Sequence, residues 1–173
     1  DDGAFSQTTV CEVGKMYDIQ FTIKPDRSMV YFCVEYDSDD HFTIGYYDAQ
    51  TGESETVEIL PEEGKQIVRP YITYSTYDDS LYIAYTTYIE KARLNFECSF
   101  DLYRANWETG AFTLEHIANI QTDLNCMGNY SCNMSKNQVG ASGFFVDANG
   151  NIFMGYRYST STELPVPRLA IVS

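Results

Sequence analysis

Apolar and polar positions along the chain alternate over short runs, and no long window shows the i, i+3, i+4, i+7 spacing of an amphipathic helix. The runs are rich in Tyr, Phe, Val, Ile and Thr, and clusters of Gly, Asn and Asp separate them, which is typical of strands and turns. The pattern leaves Glu90–Asn95 open between a helical turn and a hairpin tip. We expect eleven strands: Tyr17–Ile23, Met29–Tyr36, Phe42–Tyr47, Glu55–Leu60, Tyr71–Thr76, Leu81–Tyr88, Phe96–Arg104, Phe112–Ile117, Ser142–Val146, Ile152–Tyr158 and Leu169–Val172.

Three predicted hairpins share one pattern, in which an apolar strand and an aromatic strand flank a tight turn that contains Asp. The turns are Pro25–Ser28, Tyr77–Ser80 and Asp147–Asn151. Asp, Asn and Gly suit such turns because they tolerate a positive φ. After the first two hairpins comes a strand, a turn closed by Thr-Gly at Gly52 or Gly110, and an outer strand. Each full unit is therefore predicted to contain four antiparallel strands.

The strands form a single all-β domain over residues 1–173, with units at about 17–60, 71–118 and 142–173 and an insertion at about 121–138. Four antiparallel strands repeating at about 50 residues resemble the blades of a β-propeller. The resemblance covers most of residues 17–173 and is to an architecture, because the sialidase-type Asp-box and the Trp-Asp signature of WD40 repeats are absent.

About three such units would make an incomplete ring, since propellers close with four to eight blades. The last strand of the third unit would also present an unpaired edge. We expect that edge to be covered either by the segment Thr9–Gly14 of the same chain or by an edge strand of another chain. The alternative architecture is a β-sandwich or a barrel built from the same units.

The charge of the chain excludes several classes of partner. Its 173 residues include 25 acidic and 11 basic side chains, which gives a net charge of −14. A nucleic-acid-binding protein needs a cationic surface, and an anionic membrane surface would repel this chain. No apolar run approaches the ~20 residues of a membrane helix, so no membrane insertion is expected.

Cysteines and glycosylation motifs indicate an oxidising compartment, and we expect a secreted or cell-surface protein. The alternative is a cytosolic protein with reduced, buried cysteines. Cys126 and Cys132 are predicted to form a disulfide, because the loop between them is short and polar. Asn129 and Asn133 begin two glycosylation sequons, so we expect both to be exposed and at least one to carry a glycan. The sequence leaves the pairing of Cys11, Cys33 and Cys98 open. Cys33 lies in the middle of a predicted strand, which also suits a buried thiol.

Motifs for catalysis or for metal binding are not found. His41 and His116 lie far apart in the sequence and no Cys-x-x-Cys occurs, which argues against zinc. Asp37–Asp40 and Asp147–Asn151 cluster oxygen atoms, but the second lacks the Gly and Glu of an EF-hand loop, and we interpret both as polar loops or turns. No nucleophile elbow and no glycine-rich phosphate loop is present. We therefore predict no catalytic, metal-binding or cofactor-binding residues, and no cofactor.

The favoured function is a non-catalytic secreted or surface-exposed glycoprotein module for protein binding or self-assembly through sheet edges. The many tyrosines are expected chiefly to pack between sheets, and the alternative is an aromatic face for glycans or for a protein partner. Two alternative functions stay open. One alternative is a lectin-like domain that binds glycans. The other is a fragment of a propeller-type glycosidase, which needs only two carboxylates about 5–10 Å apart.

Overall fold

The structure is a computed structural model that describes residues 7, 9–10, 16–36, 41–92, 95–108, 111–125, 141–158 and 166–172. In this part of the chain every regular element is a strand, and each of the eleven predicted strands is present. The all-β prediction is confirmed. The strands are β1 (Met16–Ile23), β2 (Met29–Tyr36), β3 (Phe42–Asp48), β4 (Ser54–Ile59), β5 (Gln66–Ser75), β6 (Ser80–Ala92), β7 (Asn95–Glu108), β8 (Ala111–Asn125), β9 (Ala141–Val146), β10 (Ile152–Tyr158) and β11 (Val166–Val172).

The strands form three antiparallel sheets in which neighbours along the chain pair with one another. The first sheet has the order β1-β2-β3-β4, the second β5-β6-β7-β8, and the third β9-β10-β11. The chain thus builds four-stranded antiparallel units, as its repeat predicts, and the third unit has three strands among the described residues. None of these residues forms a helix with the length and apolar character that crossing a bilayer requires.

The second sheet lies between the other two, and β5 packs against β1 and β2 on one side and against β9 on the other. Strand β6 shows why both faces of this sheet are buried. Leu81, Ile83 and Tyr85 point into a first core, which is shared with the first sheet. Tyr82 and Ala84 point into a second core, which is shared with the third sheet. Because side chains alternate along a strand, a run of seven buried residues at 81–87 supplies both cores at once.

The turns of the three inner hairpins lie side by side along one edge of the stack. Lys24 Nζ in the first turn lies 3.3 Å from Asp79 Oδ2 in the second. The ring of Tyr77, also in the second turn, packs on Gly150 of the third so closely that a Cβ at that glycine would lie 2.8 Å from it. Gly150 has a φ of 84°, which glycine adopts without strain. These two contacts bring the three inner hairpin turns together at the same edge of the stack.

The second sheet is longer than the sequence predicts. Its hairpin β6–β7 is paired as far as Ala92 with Asn95, so residues 90–92 and 95 belong to the paired strands of a hairpin and not to a helical turn. This long hairpin gives β8 a pairing partner up to Asn125. Residues 121–125 therefore belong to a strand, although the sequence places them in the insertion at 121–138. Residues 126–138 of that insertion lie outside the described residues.

The free edge of the third sheet is not covered in one of the two ways that the sequence analysis expects. Among the described residues, β11 pairs only with β10. The carbonyl oxygen of Val10 instead accepts a hydrogen bond from Ser54 Oγ, at 3.2 Å, at the start of β4. Thr9 and Val10 thus lie beside the first sheet and do not cover β11 of their own chain. The remainder of the segment, residues 11–14, is not described.

Candidate functional site

The predicted disulfide and glycosylation sites fall in the part of the chain that the structure does not describe. Cys126, Cys132, Asn129 and Asn133 all lie within residues 126–140. Among the described cysteine side chains is Cys33, a free thiol that is completely buried in β2. Its Sγ lies 3.7 Å from the carbonyl oxygen of Pro70, to which the thiol donates, and burial raises its pKa. Cys33 is therefore a core residue, as its mid-strand position allows.

The remaining polar candidates make local contacts. Asp147 accepts hydrogen bonds from the backbone N–H groups of Asn149 and Asn151, both at 2.8 Å, which confirms that Asp147–Asn151 is a turn. His41 Nε2 lies 3.1 Å from Glu58 Oε1. Within the described ranges, no three His, Cys, Asp or Glu side chains are grouped so that they could hold a metal ion. Asp37–Asp40 lies outside those ranges.

The first candidate binding surface is the outer face of the first sheet, defined by Ile19, Phe21 and Ile23 of β1. These side chains alternate with polar residues, so they share the face that points away from the second sheet. Their exposed fractions are 46%, 65% and 48%. Their cross-strand partners Phe32 and Val34 are buried, so the exposed apolar surface is a strip along β1.

The second candidate surface is the outer face of the third sheet, defined by Phe145, Phe153, Leu169 and Ile171. Phe145, Leu169 and Ile171 are 54%, 65% and 60% exposed. The rings of Phe145 and Phe153 stack, with centroids 4.8 Å apart and planes 8° from parallel. Register brings three strands together here, because Phe153 pairs with Phe145 on one side and with Ile171 on the other. An apolar patch that crosses a whole sheet marks an interaction surface more often than chance exposure.

The third candidate is a cleft of about 470 Å³ at the end of the second sheet, where its strands extend past the first sheet. The connection between β4 and β5 forms one wall, with Leu60, Glu62 and Lys65. Lys65 Nζ lies 2.6 Å from Glu62 Oε2, and this hydrogen bond raises the pKa of the lysine. This wall therefore combines the apolar side chain of Leu60 with an ion pair between Glu62 and Lys65.

Asp101 is the central polar group of the cleft and is buried in β7. Its Oδ1 accepts a hydrogen bond from Asn119 Nδ2 at 2.6 Å, and His116 Nε2 lies 3.5 Å from the same oxygen. Its Oδ2 accepts a hydrogen bond from Ser99 Oγ at 3.0 Å. A carboxylate with these neighbours is held in one orientation and can accept a further polar group.

Two tyrosines line the cleft beside this carboxylate. The rings of Tyr85 and Tyr103 stack with centroids 5.0 Å apart and planes 10° from parallel. Burial, followed by a hydrogen bond between the two hydroxyls, raises the pKa of Tyr85, and burial raises that of Tyr103. His116 meets Tyr103 edge-on, with 5.1 Å between ring centroids. Because the two rings pack on each other, the groups of the cleft that could contact a ligand are chiefly polar atoms.

The sequence analysis does not find this cleft or the two outer faces. Asp101, His116 and Asn119 form no motif, and they meet only because β7 and β8 pair. The available signal for the outer faces is the alternation Ile19, Phe21, Ile23 and the pair Phe145 and Phe153, which predict buried positions as readily as exposed ones. No family model, curated protein or solved structure matches the chain.

Proposed function

We propose that this chain is a non-catalytic module for protein binding or self-assembly, secreted or exposed at the cell surface. The observation that carries the proposal is the pair of apolar outer faces on the first and third sheets, at opposite ends of the stack. Each large apolar side chain that moves from water into an interface contributes about 1.5–3 kcal/mol. The seven side chains of the two faces therefore offer enough driving force for association, even after the entropy of binding is subtracted.

The unpaired edge of the third sheet supports the same proposal. Among the described residues, the outward side of β11 has no neighbouring strand, and such an edge presents backbone donors and acceptors to a partner. The edge and the apolar face meet in Leu169 and Ile171, which belong to β11. A partner that covers the face of the third sheet is therefore placed to pair with its edge as well.

The proposal also includes that the chain is a secreted or surface-exposed glycoprotein, and this part of it rests on the sequence. The two sequons at Asn129 and Asn133 and the cysteines at Cys126 and Cys132 lie close together in a polar stretch. A disulfide between the two cysteines would close a loop that presents the glycans.

The cleft favours glycan binding as a second candidate function, since Asp101, Asn119 and His116 offer polar atoms beside the apolar Leu60. Assembly is better supported, because the rings of Tyr85 and Tyr103 stack on each other and do not present open faces to a sugar.

For the glycosidase alternative, the carboxylates to test are Asp101 and Glu62, which both line the cleft. Asp101 is engaged by Ser99 and Asn119, which suits a structural or binding role.

Light scattering coupled to size-exclusion chromatography at micromolar concentration tests the proposal. We expect the wild type to associate in a concentration-dependent manner, and Phe21→Asp and Phe145→Asp each to shift it toward the mass of one chain, 19.7 kDa, because an aspartate in an apolar interface costs several kcal/mol. Leu60→Asp is the matched control, since Leu60 is 66% exposed but lies on neither face. A wild type that stays monomeric, or associates equally well with both substitutions, would contradict self-assembly.

A further inference from the structure

We propose that the cleft of the second sheet binds an organic cation, an ammonium or guanidinium group on an apolar stem, with the Asp101 carboxylate as its counterion. This inference goes beyond the proposed function, because it concerns the cleft and does not depend on the two outer faces. The cleft measures about 470 Å³, which lies within the roughly 300–1,000 Å³ that is usual for small-ligand sites. It is large enough for a small molecule or for one side chain of a partner.

A β-bulge in β8 builds the polar end of the cleft. Asn119 pairs with Asp101 of β7, and the next pair along the strands is Leu102 with Ala118. His116 then pairs with Tyr103, so the register skips residue 117. Residues three apart on a regular strand point to opposite faces, whereas the extra residue of the bulge turns His116 and Asn119 to the same face. The pairing of two strands therefore fixes both side chains beside the Asp101 carboxylate.

The hydrogen bonds around Asp101 engage donors and leave acceptors available. Ser99 donates its O–H to Oδ2 at 3.0 Å, and Asn119 donates an N–H to Oδ1 at 2.6 Å. The oxygen atoms of these two side chains remain able to accept. A carboxylate accepts at about four lone-pair positions, so Asp101 also has room for a further donor. An ammonium or a guanidinium group matches this arrangement, because it offers several N–H donors and no acceptor.

The charges that line the cleft also favour a cation. Glu62 and Lys65 form an ion pair at 2.6 Å and compensate each other. His116 Nε2 lies 3.5 Å from Asp101 Oδ1, which is longer than the roughly 2.7–2.9 Å of a charge-assisted N–H···O bond. The ion pairs of the described residues therefore give Asp101, whose side chain is 11% exposed, no tight counterion. The net charge of −14 further raises the local concentration of cations around the chain.

Another part of the lining is apolar and suits the stem of such a cation. Leu60 and Pro61 of the β4–β5 connection contribute to it, together with Ile67 and Ile89 of the second sheet. Leu60 is exposed and Ile67 is buried, so this apolar lining runs from the surface into the cleft. Basic side chains bury their methylene groups along such surfaces while the charged end meets polar atoms. The cleft is thus complementary to a lysine or arginine side chain, or to a free alkylamine.

A titration of the full chain with N-acetyl-lysine amide, followed by amide chemical shifts, tests the proposal. We expect saturable shifts at Asp101, His116 and Asn119. N-acetyl-norleucine amide is the matched neutral probe, since it has the same stem without the charge, and it should bind at least about tenfold more weakly. n-Butylammonium carries the stem and the charge without peptide groups. Equal affinity for it supports a free amine as the ligand, and weaker affinity supports a basic side chain of a protein.

Two substitutions at His116 show whether the Asp101 carboxylate recognises the probe. His116→Lys places an ammonium group beside this carboxylate, at a position that is half exposed, and should weaken binding of the lysine probe at least about fivefold. His116→Gln keeps a neutral polar side chain and should stay within about twofold of the wild type. This pair keeps the test decisive if Asp101→Asn does not fold, which the dispersion of its amide spectrum reveals.

Asp101→Asn removes the proposed counterion and should weaken binding at least about tenfold. Glu115→Gln is its control, because it removes the same charge from the neighbouring position of β8, where the carboxylate bonds to Arg104 outside the cleft. Its affinity should stay within about twofold of the wild type, since solvent and salt screen an exposed charge.

Equal binding of the lysine and norleucine probes overturns the proposal, and so does unchanged binding by both Asp101→Asn and His116→Lys. Saturable binding of N-acetylglucosamine at the same amides, without binding of the lysine probe, also overturns it and assigns the cleft to glycans. Phe145→Asp should bind the lysine probe as the wild type does, because Phe145 lies on the outer face of the third sheet. Failure of self-association therefore leaves this site intact, and failure of the site leaves self-association intact.

Discussion

At the scale of single residues, the contact between Gly45 and Phe32 shows how closely β2 and β3 pack. A Cβ added at Gly45 would lie 2.4 Å from the Phe32 ring and 2.8 Å from the carbonyl oxygen of Glu55. We expect Gly45→Ala to lower the free energy of unfolding by about 1–3 kcal/mol, since a core without spare volume must shift to accept a methyl group. Urea denaturation measures this change.

A double-mutant cycle identifies the cause of that loss. Phe32→Leu removes the ring atoms that the new methyl group would meet, so Gly45→Ala should cost less in that background than in the wild type. If the two substitutions are additive, the Glu55 carbonyl or the backbone of β3 is responsible instead. A Gly45→Ala protein as stable as the wild type would show that the ring of Phe32 moves freely.

Side chains of the cleft could not be predicted from the sequence, for a physical reason. Asp101 looks like one of many acidic residues on an acidic chain until the pairing of β7 with β8 brings Asn119 and His116 to it. Turn residues are predictable because their effect is local. Asp147 and Gly150 form the expected turn, whereas Arg27 adopts a φ of 61° that its residue type does not suggest.

At the scale of elements, Tyr82 links β6 to the turn before it and to the core of the third sheet. Its hydroxyl donates to Asp78 Oδ2 at 2.8 Å, and burial, followed by this hydrogen bond, raises its pKa to about 12. A raised pKa of an acidic hydroxyl contributes stability that is fully present below the unfolded-state value of about 10 and is lost as pH rises through about 12. We therefore expect the stability of the wild type to fall over this interval.

Tyr82→Phe should lose about 1.5–3 kcal/mol at neutral pH, since it removes a hydrogen bond to a charged group. It should also lose less stability than the wild type between pH 10 and 12, because one of the tyrosine protons that couple folding to pH is gone, while those of residues such as Tyr74 and Tyr85 remain. Chemical denaturation at several pH values measures both effects. Tyr77→Phe, at a position 62% exposed, is the control for removing a tyrosine hydroxyl from the same hairpin turn without removing the hydrogen bond to Asp78. Parallel curves for Tyr82→Phe and wild type would exclude Tyr82 as a source of the alkaline loss.

The existence of each strand was more predictable from the sequence than its length. Met29–Tyr36 and Ile152–Tyr158 begin and end where the sequence pattern places them, because turn residues bound them on the side of the hairpin. The second sheet extends further because β8 continues through Gln121–Asn125, a polar stretch that resembles a loop in sequence. Its pairing with β7 comes from the neighbouring strand and not from the apolar pattern of the stretch itself.

At the scale of the whole molecule, the net charge opposes the association of two copies and the apolar surface favours it. Each copy carries a net charge of −14, so two copies repel at long range, while the faces proposed to join them are formed by side chains such as Phe21 and Phe145 without charge. Salt screens the repulsion, because the Debye length falls to about 10 Å at 0.1 M ionic strength, and has little effect on apolar contacts at these concentrations. Association should therefore tighten as salt is added.

Sedimentation velocity in sodium chloride from about 0.05 to about 0.3 M measures this dependence, and we expect the dimer dissociation constant to fall about 3–10-fold across the range. Leu60→Asp adds one negative charge to each copy away from both faces, so its association should be slightly weaker at low salt and should converge with the wild type at high salt. Phe21→Asp adds the same charge within the interface, and salt should not restore its association. A dissociation constant that rises with salt would show that opposite charges hold the copies together, and would contradict an interface built on the two apolar faces.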